Sequence, residues 1–246
     1  MSIVQLTIII PVFNEINTIE KVVHKVSQIK LNKQIIIVDD FSKDGSRELL
    51  KVIKDKNIKV IFHEKNHGKG ACIISAKKYV EGEYVIIQDA DLEYNPEDII
   101  KLYNEAKTNN YSAVYGSRVL NKNKYENLEN FSHRIRIYGN AFLTILSNII
   151  NNQKLTDAHT CYKLFKSEIF KNINLKEKGF SFCPEITTKL SLIKVKIKEI
   201  PISYQGRTYE EGKKIVAKDG LSAILTLLKY RFLKKWVKNF HTWKYN

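Results

Sequence analysis

The chain has 246 residues, 43% of them hydrophobic, and its 41 Lys and Arg against 26 Asp and Glu give a formal charge of +15. That length can bury a large core in one big domain or two small ones, and the charge calls for an anionic partner or a well-solvated surface. No apolar stretch approaches the roughly 20 residues that cross a bilayer. MSIVQLTIIIPVFNE runs into a strand without a basic flank or cleavage site, and Cys72, Cys161 and Cys183 form neither a CxxC pair nor an even disulfide set. The expectation is a cytosolic chain with reduced thiols rather than a membrane-spanning, signal-bearing or disulfide-stapled one.

Hydrophobic runs alternate with helical patterns through the first half: LTIIIPV and a helix from about Glu15, QIIIVDD and a helix from about Asp44, IKVIFH, a helix beginning near Gly68, then YVIIQDAD. This βαβα rhythm predicts a parallel sheet covered by helices. Runs such as TIIIPV are nearly continuous, as strands buried on both faces require. Asp44 or Ser46 can cap the second helix, and Asn95 the next, with Pro96, Glu97 and Asp98 suited to its first turn. A strand YSAVYGS follows, then a polar loop from Asn121 to Phe131.

The helix through Ile135 to Ile150 carries Phe142, Leu143, Ile145, Leu146, Ile149 and Ile150, read as packing on the sheet ahead of membrane contact. A short connection, a helix near Pro184 to Leu192, the strand VKIKEIPISY and a last helix from about Lys213 to Lys234 complete the pattern. The expected organisation is one α/β domain over residues 1–233, with helices added on one side, and a tail over 234–246. That tail ends in KKWVKNFHTWKYN, which mixes Lys with Trp, Phe and Tyr as a segment lying on an anionic membrane does.

In an open α/β sheet, ligands bind beyond the carboxyl ends of the strands. Strand one ends in PVFNE, strand two in VDDFSKDGS, the third crossover opens with NHGKG, and strand four ends in QDADLEY. Asp89, Asp91 and Glu93 stand at alternate positions and project from one side of an extended chain. Hard oxygen ligands of this kind suit Mg²⁺ or Mn²⁺ holding a diphosphate, which points to transfer from a nucleotide-activated donor.

The first βα turn lacks GxGxxG, and NHGKG lacks the spacing of a Walker A loop, so dinucleotide and P-loop chemistry are disfavoured. Lys69, flanked by glycines at a helix start, can meet a phosphate through backbone amides and its own charge. Of Asp39 and Asp40, one faces inward or caps the turn while the other accepts from a nucleobase or ribose. His63 and His67 lie near a strand end and a glycine loop and do not read as a zinc pair.

PVFNE, VDDFSKDGS, GKG, DADLEYNPED and GSR, in this order and spacing, resemble a family 2 glycosyltransferase of the GT-A fold. LTDAHTCYKLF, FSFCPEI and IPISYQGRTYEEGKKI resemble the branch of dolichyl-phosphate mannosyltransferases and related polyprenyl-phosphate glycosyltransferases, over about residues 5 to 233. The resemblance implies a GT-A domain, a Rossmann-like, mostly parallel sheet with a C-terminal acceptor-side helical extension. It implies that Pro11, Phe13 and Glu15, with Val38, Asp40, Lys69, Asp89 and Ala90, hold the nucleotide. Asp89, Asp91 and Glu93 hold the metal, although close relatives commonly carry Gln at the third position.

Arg118, Arg207 and Lys213 meet the donor diphosphate or the acceptor phosphate, with YQGRTYEEGKK as a lid. Asp91, Arg118 and Asp157 form the catalytic set, Asp157 orienting acceptor or sugar, because a phosphate acceptor is already an anion and needs no strong base. The implied reaction is inverting, metal-dependent hexose transfer from a GDP- or UDP-sugar to a polyprenyl phosphate, by a protein docked on an anionic membrane or on a membrane partner. A soluble transferase acting on a glycan would show an Arg-Trp pair after an acidic motif, and none is present. A nucleic-acid-binding protein would fit the charge, yet no reading motif is found and carboxylates crowd the inferred cleft.

Overall fold

The computed structural model describes residues 3–120, 131–207 and 217–233, with side chains left aside at 131–136 and 217. The expected loop after Asn121, most of the lid with Lys213, and the tail over 234–246 lie outside the described residues. Seven strands form one sheet in the order β3-β2-β1-β4-β6-β5-β7. They are β1 (Leu6–Val12), β2 (Lys33–Asp39), β3 (Ile58–Phe62), β4 (Tyr84–Ile87), β5 (Ala113–Ser117), β6 (Lys163–Lys166) and β7 (Ile197–Pro201). β1 pairs in parallel with β2 and β4, β2 with β3, and β5 with β7, whereas β6 runs antiparallel between β4 and β5.

Eight α-helices connect the strands: α1 (Ile19–Ser27), α2 (Ser46–Lys51), α3 (Lys69–Ala76), α4 (Asp98–Thr108), α5 (Phe131–Asn151), α6 (Ser167–Asn172), α7 (Phe182–Leu192) and α8 (Ala217–Phe232). The strands are apolar throughout because each face is covered. Ile8 and Ile10 pack with Val22 and Val26 of α1 and Leu102 of α4, while Ile9, Ile36 and Val38 pack with Ile73 of α3 and Ile186 of α7. Each fully buried side chain of this size contributes about 1.5–3 kcal/mol.

The short connection read before α7 proves to be β6 and α6. KLFK is four residues long, too short to show a period, and its partners across the sheet are Tyr84 to Ile86 and Ala113 to Tyr115. Insertion of β6 splits the expected run of parallel strands and delivers the preceding segment, Thr156 to Cys161, to the carboxyl end of β4.

The outward face of α5 corrects the expectation that its apolar residues pack on the sheet. Tyr138, Phe142, Ile145 and Ile149 are exposed, at 70, 58, 58 and 73%. The buried side of the helix is polar: Thr144, Ser147 and Asn151, the last donating to Ser147 and Thr188 Oγ1. On α8, which packs beside α5, Leu221, Leu225, Leu228 and Phe232 are also exposed. The two stripes share a 4-3-4 spacing, one face of an α-helix.

Gly70 opens α3 under the backbone of residues 177–179. A Cβ there would stand 2.1 Å from the Glu177 carbonyl oxygen and 3.0 Å from that of Gly179. Gly70→Ala should therefore cost about 2–4 kcal/mol, the range of severe packing defects, measured as a fall in urea midpoint with unchanged m-value.

Candidate active site

In the order β3-β2-β1-β4 the chain steps outward from β1, then returns to pair β4 on its other side, so the switch point lies between β1 and β4. The turns leaving β1, β2 and β4 each hold a non-glycine residue in left-handed backbone: Asn14 at φ 50, Phe41 at φ 67 and Leu92 at φ 60. Strain of this kind costs of order 1–3 kcal/mol per residue and gathers at ligand sites.

Asp39 and Asp40 end β2 facing opposite ways. Asp39, fully buried, accepts from Arg47 at 3.0 Å and from the Ser42 amide at 3.3 Å. Asp40 reaches the NHGKG loop, accepting from the amides of His67 at 2.9 Å and Gly68 at 2.6 Å and pairing with His63 Nδ1 at 2.7 Å. Its carboxylate fastens that loop to the strand instead of standing open to a nucleobase.

Asp40, His63 and Cys72 are the one group of three ligand atoms within 4.8 Å of one another found among the described residues. His63 Nε2 is matched by Ser75 Oγ at 2.9 Å. Burial, then the charges of Asp40 and Asp39, push the Cys72 thiol up. The cluster is a fastener with its hydrogen bonds made.

The glycines flanking Lys69 answer a different need from the expected phosphate cradle. Gly68, at φ 93, and Gly70 let the 177–179 backbone lie against the start of α3, where the Ala71 amide donates to Lys178 O at 2.9 Å. The Lys69 ammonium, by contrast, is in the site. It donates to Asp89 Oδ1, and to Cys161 Sγ at 2.9 Å. Burial lowers its pKa, but Asp89 outweighs burial and holds it well above the usual value.

Arg207 draws the switch point together. Its guanidinium donates to both oxygens of Glu15 at 2.9 and 3.0 Å and to Asp91 at 3.4 Å, and Nε lies 4.0 Å from Glu93. Glu93 accepts from the Arg207 amide at 2.8 Å and from Tyr204 Oη at 2.7 Å, so it anchors the 204–207 segment along the site. Burial first, then Asp89 and Glu93, push Asp91 up to about 7.

Asp89 and Asp91 fit a hard divalent cation: their crowded oxygens already draw in an ammonium and a guanidinium. Glu93, committed to Tyr204 and the Arg207 amide, fits that role less well. Pro11 stands opposite Val38 across β1 and β2. Val38 and Ala90 are buried and shape the wall from beneath, and Phe13 is half-buried at its rim.

Arg118 and Asp157 meet behind this cluster. Arg118 Nε and Nη2 donate to the two carboxylate oxygens at 2.7 and 2.8 Å, and its amide donates at 3.2 Å. Burial favours the neutral acid, but Arg118 and then Asn140 overcome it and hold Asp157 well below the usual carboxylate range. A carboxylate held that low takes up a proton poorly.

Three members of this network escaped the sequence reading. Asn140 of α5 donates to Asp157 at 3.1 Å, Glu199 of β7 accepts from the Thr156 and Asp157 amides at 2.7 and 2.9 Å, and Tyr204 stacks under the Arg118 guanidinium at 5.0 Å. Local pattern carries no signal for them, because Asn140 and Glu199 lie 17 and 42 positions from Asp157.

Arg207 holds the place of a cation, so Arg207→Ala should bind Mn²⁺ about tenfold more tightly in the absence of any donor, a gain of about 1.4 kcal/mol. Calorimetric titration with Mn²⁺ alone measures it. Equal or weaker binding would mean that the guanidinium and the ion do not compete.

Residues 7–173 match the family described as Glycosyl transferase family 2. The chain is 28% identical over 212 residues to the dolichol-phosphate mannosyltransferase of Pyrococcus furiosus, covering 85% of this chain and 59% of that protein. It is 28% identical over 214 residues to the UDP-N-acetylglucosamine--dolichyl-phosphate N-acetylglucosaminyltransferase of Methanococcus voltae, covering 79% and 83%. In fold it is similar to glucosyl-3-phosphoglycerate synthase of Mycobacterium tuberculosis, solved with Mn²⁺, UDP and phosphoglyceric acid. That similarity has a TM-score of 0.67 at 15% identity, over 93% of this chain and 78% of that one. With strand-end carboxylates on a GT-A sheet and a family match over well more than half its length, the chain belongs to glycosyltransferase family 2.

Proposed function

We propose that this glycosyltransferase moves a hexose, mannose or glucose, from a GDP- or UDP-sugar to a polyprenyl phosphate with inversion at the anomeric carbon, at the cytosolic face of a membrane. The observation that carries the reading is the Arg118–Asp157 pair. Asp157 is held as an ion by two hydrogen bonds from Arg118, so the site favours an acceptor that arrives deprotonated, as a phosphate does. The relatives from Pyrococcus and Methanococcus are named for dolichyl phosphate, in keeping with that acceptor.

Asp89 and Asp91 would hold the Mg²⁺ or Mn²⁺, which when bound supplies charge neutralisation for the donor diphosphate. Pro11, Phe13 and Glu15 line the nucleoside side, and Val38 and Asp40 support it from beneath. Arg207 leaves its carboxylates for the diphosphate when the donor enters, joined by Lys213. Lys69 stays on Asp89 and sets its position. Arg118, fixed by Asp157 and Tyr204, presents its remaining edge to the acceptor phosphate and aligns it opposite the leaving group.

Transfer across a panel of GDP- and UDP-sugars with Mg²⁺ or Mn²⁺, with and without a short polyprenyl phosphate, tests the reading. Nucleoside diphosphate release should require the lipid phosphate, and Asp91→Asn should lower it by about 10²–10³-fold, the scale of one lost electrostatic contact to the transition state. Release that is indifferent to the lipid would move the acceptor to a glycan.

No helix among the described residues is long and apolar enough to cross a membrane. The exposed stripes of α5 and α8 would instead lie on the surface, with the basic, aromatic 234–246 segment following α8 in the sequence. Phe142→Asp with Leu225→Asp should reduce retention on vesicles of anionic lipid and polyprenyl phosphate at least about tenfold, since each side chain contributes about 1.5–3 kcal/mol when buried. Undiminished retention would show that these stripes do not carry the docking.

A further inference from the structure

Two of the three cysteines lie together beside the donor site. Cys161 sits in the segment between Asp157 and β6, and Cys183 in the first turn of α7. Cys183 Sγ lies 3.9 Å from the carbonyl oxygen of Thr160, the residue before Cys161, and the two sulfurs are near enough to shift each other's titration. Cys161 also accepts from Lys69 Nζ at 2.9 Å, and Lys69 is the residue that pairs with Asp89. Cys161 is partly exposed, Cys183 is buried, and Cys72 lies on the core-facing side of α3.

We propose that Cys161 and Cys183 are a reversible modification site, a dithiol that closes to a disulfide by exchange with a small oxidised thiol and in doing so withdraws the Cys161 sulfur from Lys69, weakening donor binding at Asp89.

The surroundings suit this chemistry. Cys161 first, then Lys163 and Lys69, lower the Cys183 pKa against the opposing effect of burial, the direction that favours a thiolate. Lys163 is itself buried, its ammonium donating to the carbonyls of Ala158 and Thr160 at 3.0 and 2.5 Å. Burial lowers its pKa, and the two sulfurs oppose that shift. One protein sulfur attacks the small disulfide and expels a thiolate, which takes up a proton. The second protein thiol then attacks the mixed disulfide at the protein sulfur, forms the Cys161–Cys183 bond and expels the second small thiol. Two protein S–H bonds become two S–H bonds of the small thiol, with no other oxidant.

The consequence follows from Lys69. With Cys161 as an acceptor its ammonium is shared between a sulfur and Asp89. Once the sulfur is drawn into the disulfide, the ammonium is left to Asp89, and that carboxylate is less available to a cation. This last step rests on the donor site as read above, whereas disulfide formation does not.

The experiment treats the folded full chain with oxidised glutathione, blocks remaining thiols and maps peptides by mass spectrometry. Affinity for GDP and UDP with Mn²⁺ is then measured before and after, with dithiothreitol reversal. The expected result is a Cys161–Cys183 linked peptide with Cys72 free, absent in Cys183→Ser, and a several-fold loss of nucleotide affinity that dithiothreitol restores and that Cys183→Ser does not show. Stable glutathione adducts without the linked peptide, or no modification while the denatured chain exchanges fully, would overturn the proposal. A linked peptide with unchanged affinity would overturn its reach into the donor site. If the reduced protein binds neither nucleotide, the proposed donor fails, and the peptide map alone decides the disulfide.

Discussion

Negative charge gathered at the switch point is the constraint around which the rest of this molecule is arranged. Parallel strands that share a direction end on the same side, and here β1 and β4 deliver Glu15, Asp89, Asp91 and Glu93 to one edge. Carboxylates this close and this poorly solvated resist ionising together, and the rise of Asp91 to about 7 is the measure of that resistance. The protein offsets it with cations from distant parts of the chain, Lys69 from the start of α3 and Arg207 from the segment after β7. Those cations tie the carboxylates at the strand ends to α3 and to the segment after β7.

A second ion pair works by a different logic. Arg118 and Asp157 are joined at two points, buried, and braced by Asn140, Glu199 and Tyr204. Removing one partner of such a pair leaves the other as an uncompensated buried charge, typically a loss of about 3–5 kcal/mol. The pair therefore sets geometry more than it moves protons. Between it and the acidic cluster stands β6, the antiparallel strand whose preceding segment carries Asp157 and Cys161. One short stretch of chain thus carries both Asp157, bound to Arg118, and Cys161, which meets the Lys69 that pairs with Asp89.

α5, the first helix after β5, inverts the usual relation of polarity to burial. α5 turns Thr144, Ser147 and Asn151 inward and Phe142, Ile145 and Ile149 outward. The inner polar face makes hydrogen bonds to α7 and to the loop before β6, while Asn151 Oδ1 has no partner. Apolar surface left in water at matching positions on α5 and α8 is unfavourable for a chain that meets only solvent, and it supports a lipid-facing role for this side.

The amino-acid sequence alone determined the strands of the first half, the helices between them and the gathering of PVFNE, VDD, GKG and DADLE at one edge, because continuous apolar runs and alternate carboxylates are local patterns. It also carried the family, through motifs whose order survives where overall identity is low. Only the tertiary structure decided what those residues touch. That Asp40 fastens the glycine loop, that Arg207 stands among the carboxylates, that Asp157 is locked by Arg118, and that Cys161 meets Lys69 are all contacts between residues far apart in the chain. β6 and the outward apolar face of α5 belong to the same class. A four-residue strand has no period to read, and an amphipathic helix shows where its apolar side lies but not whether the protein or something outside it will cover that side.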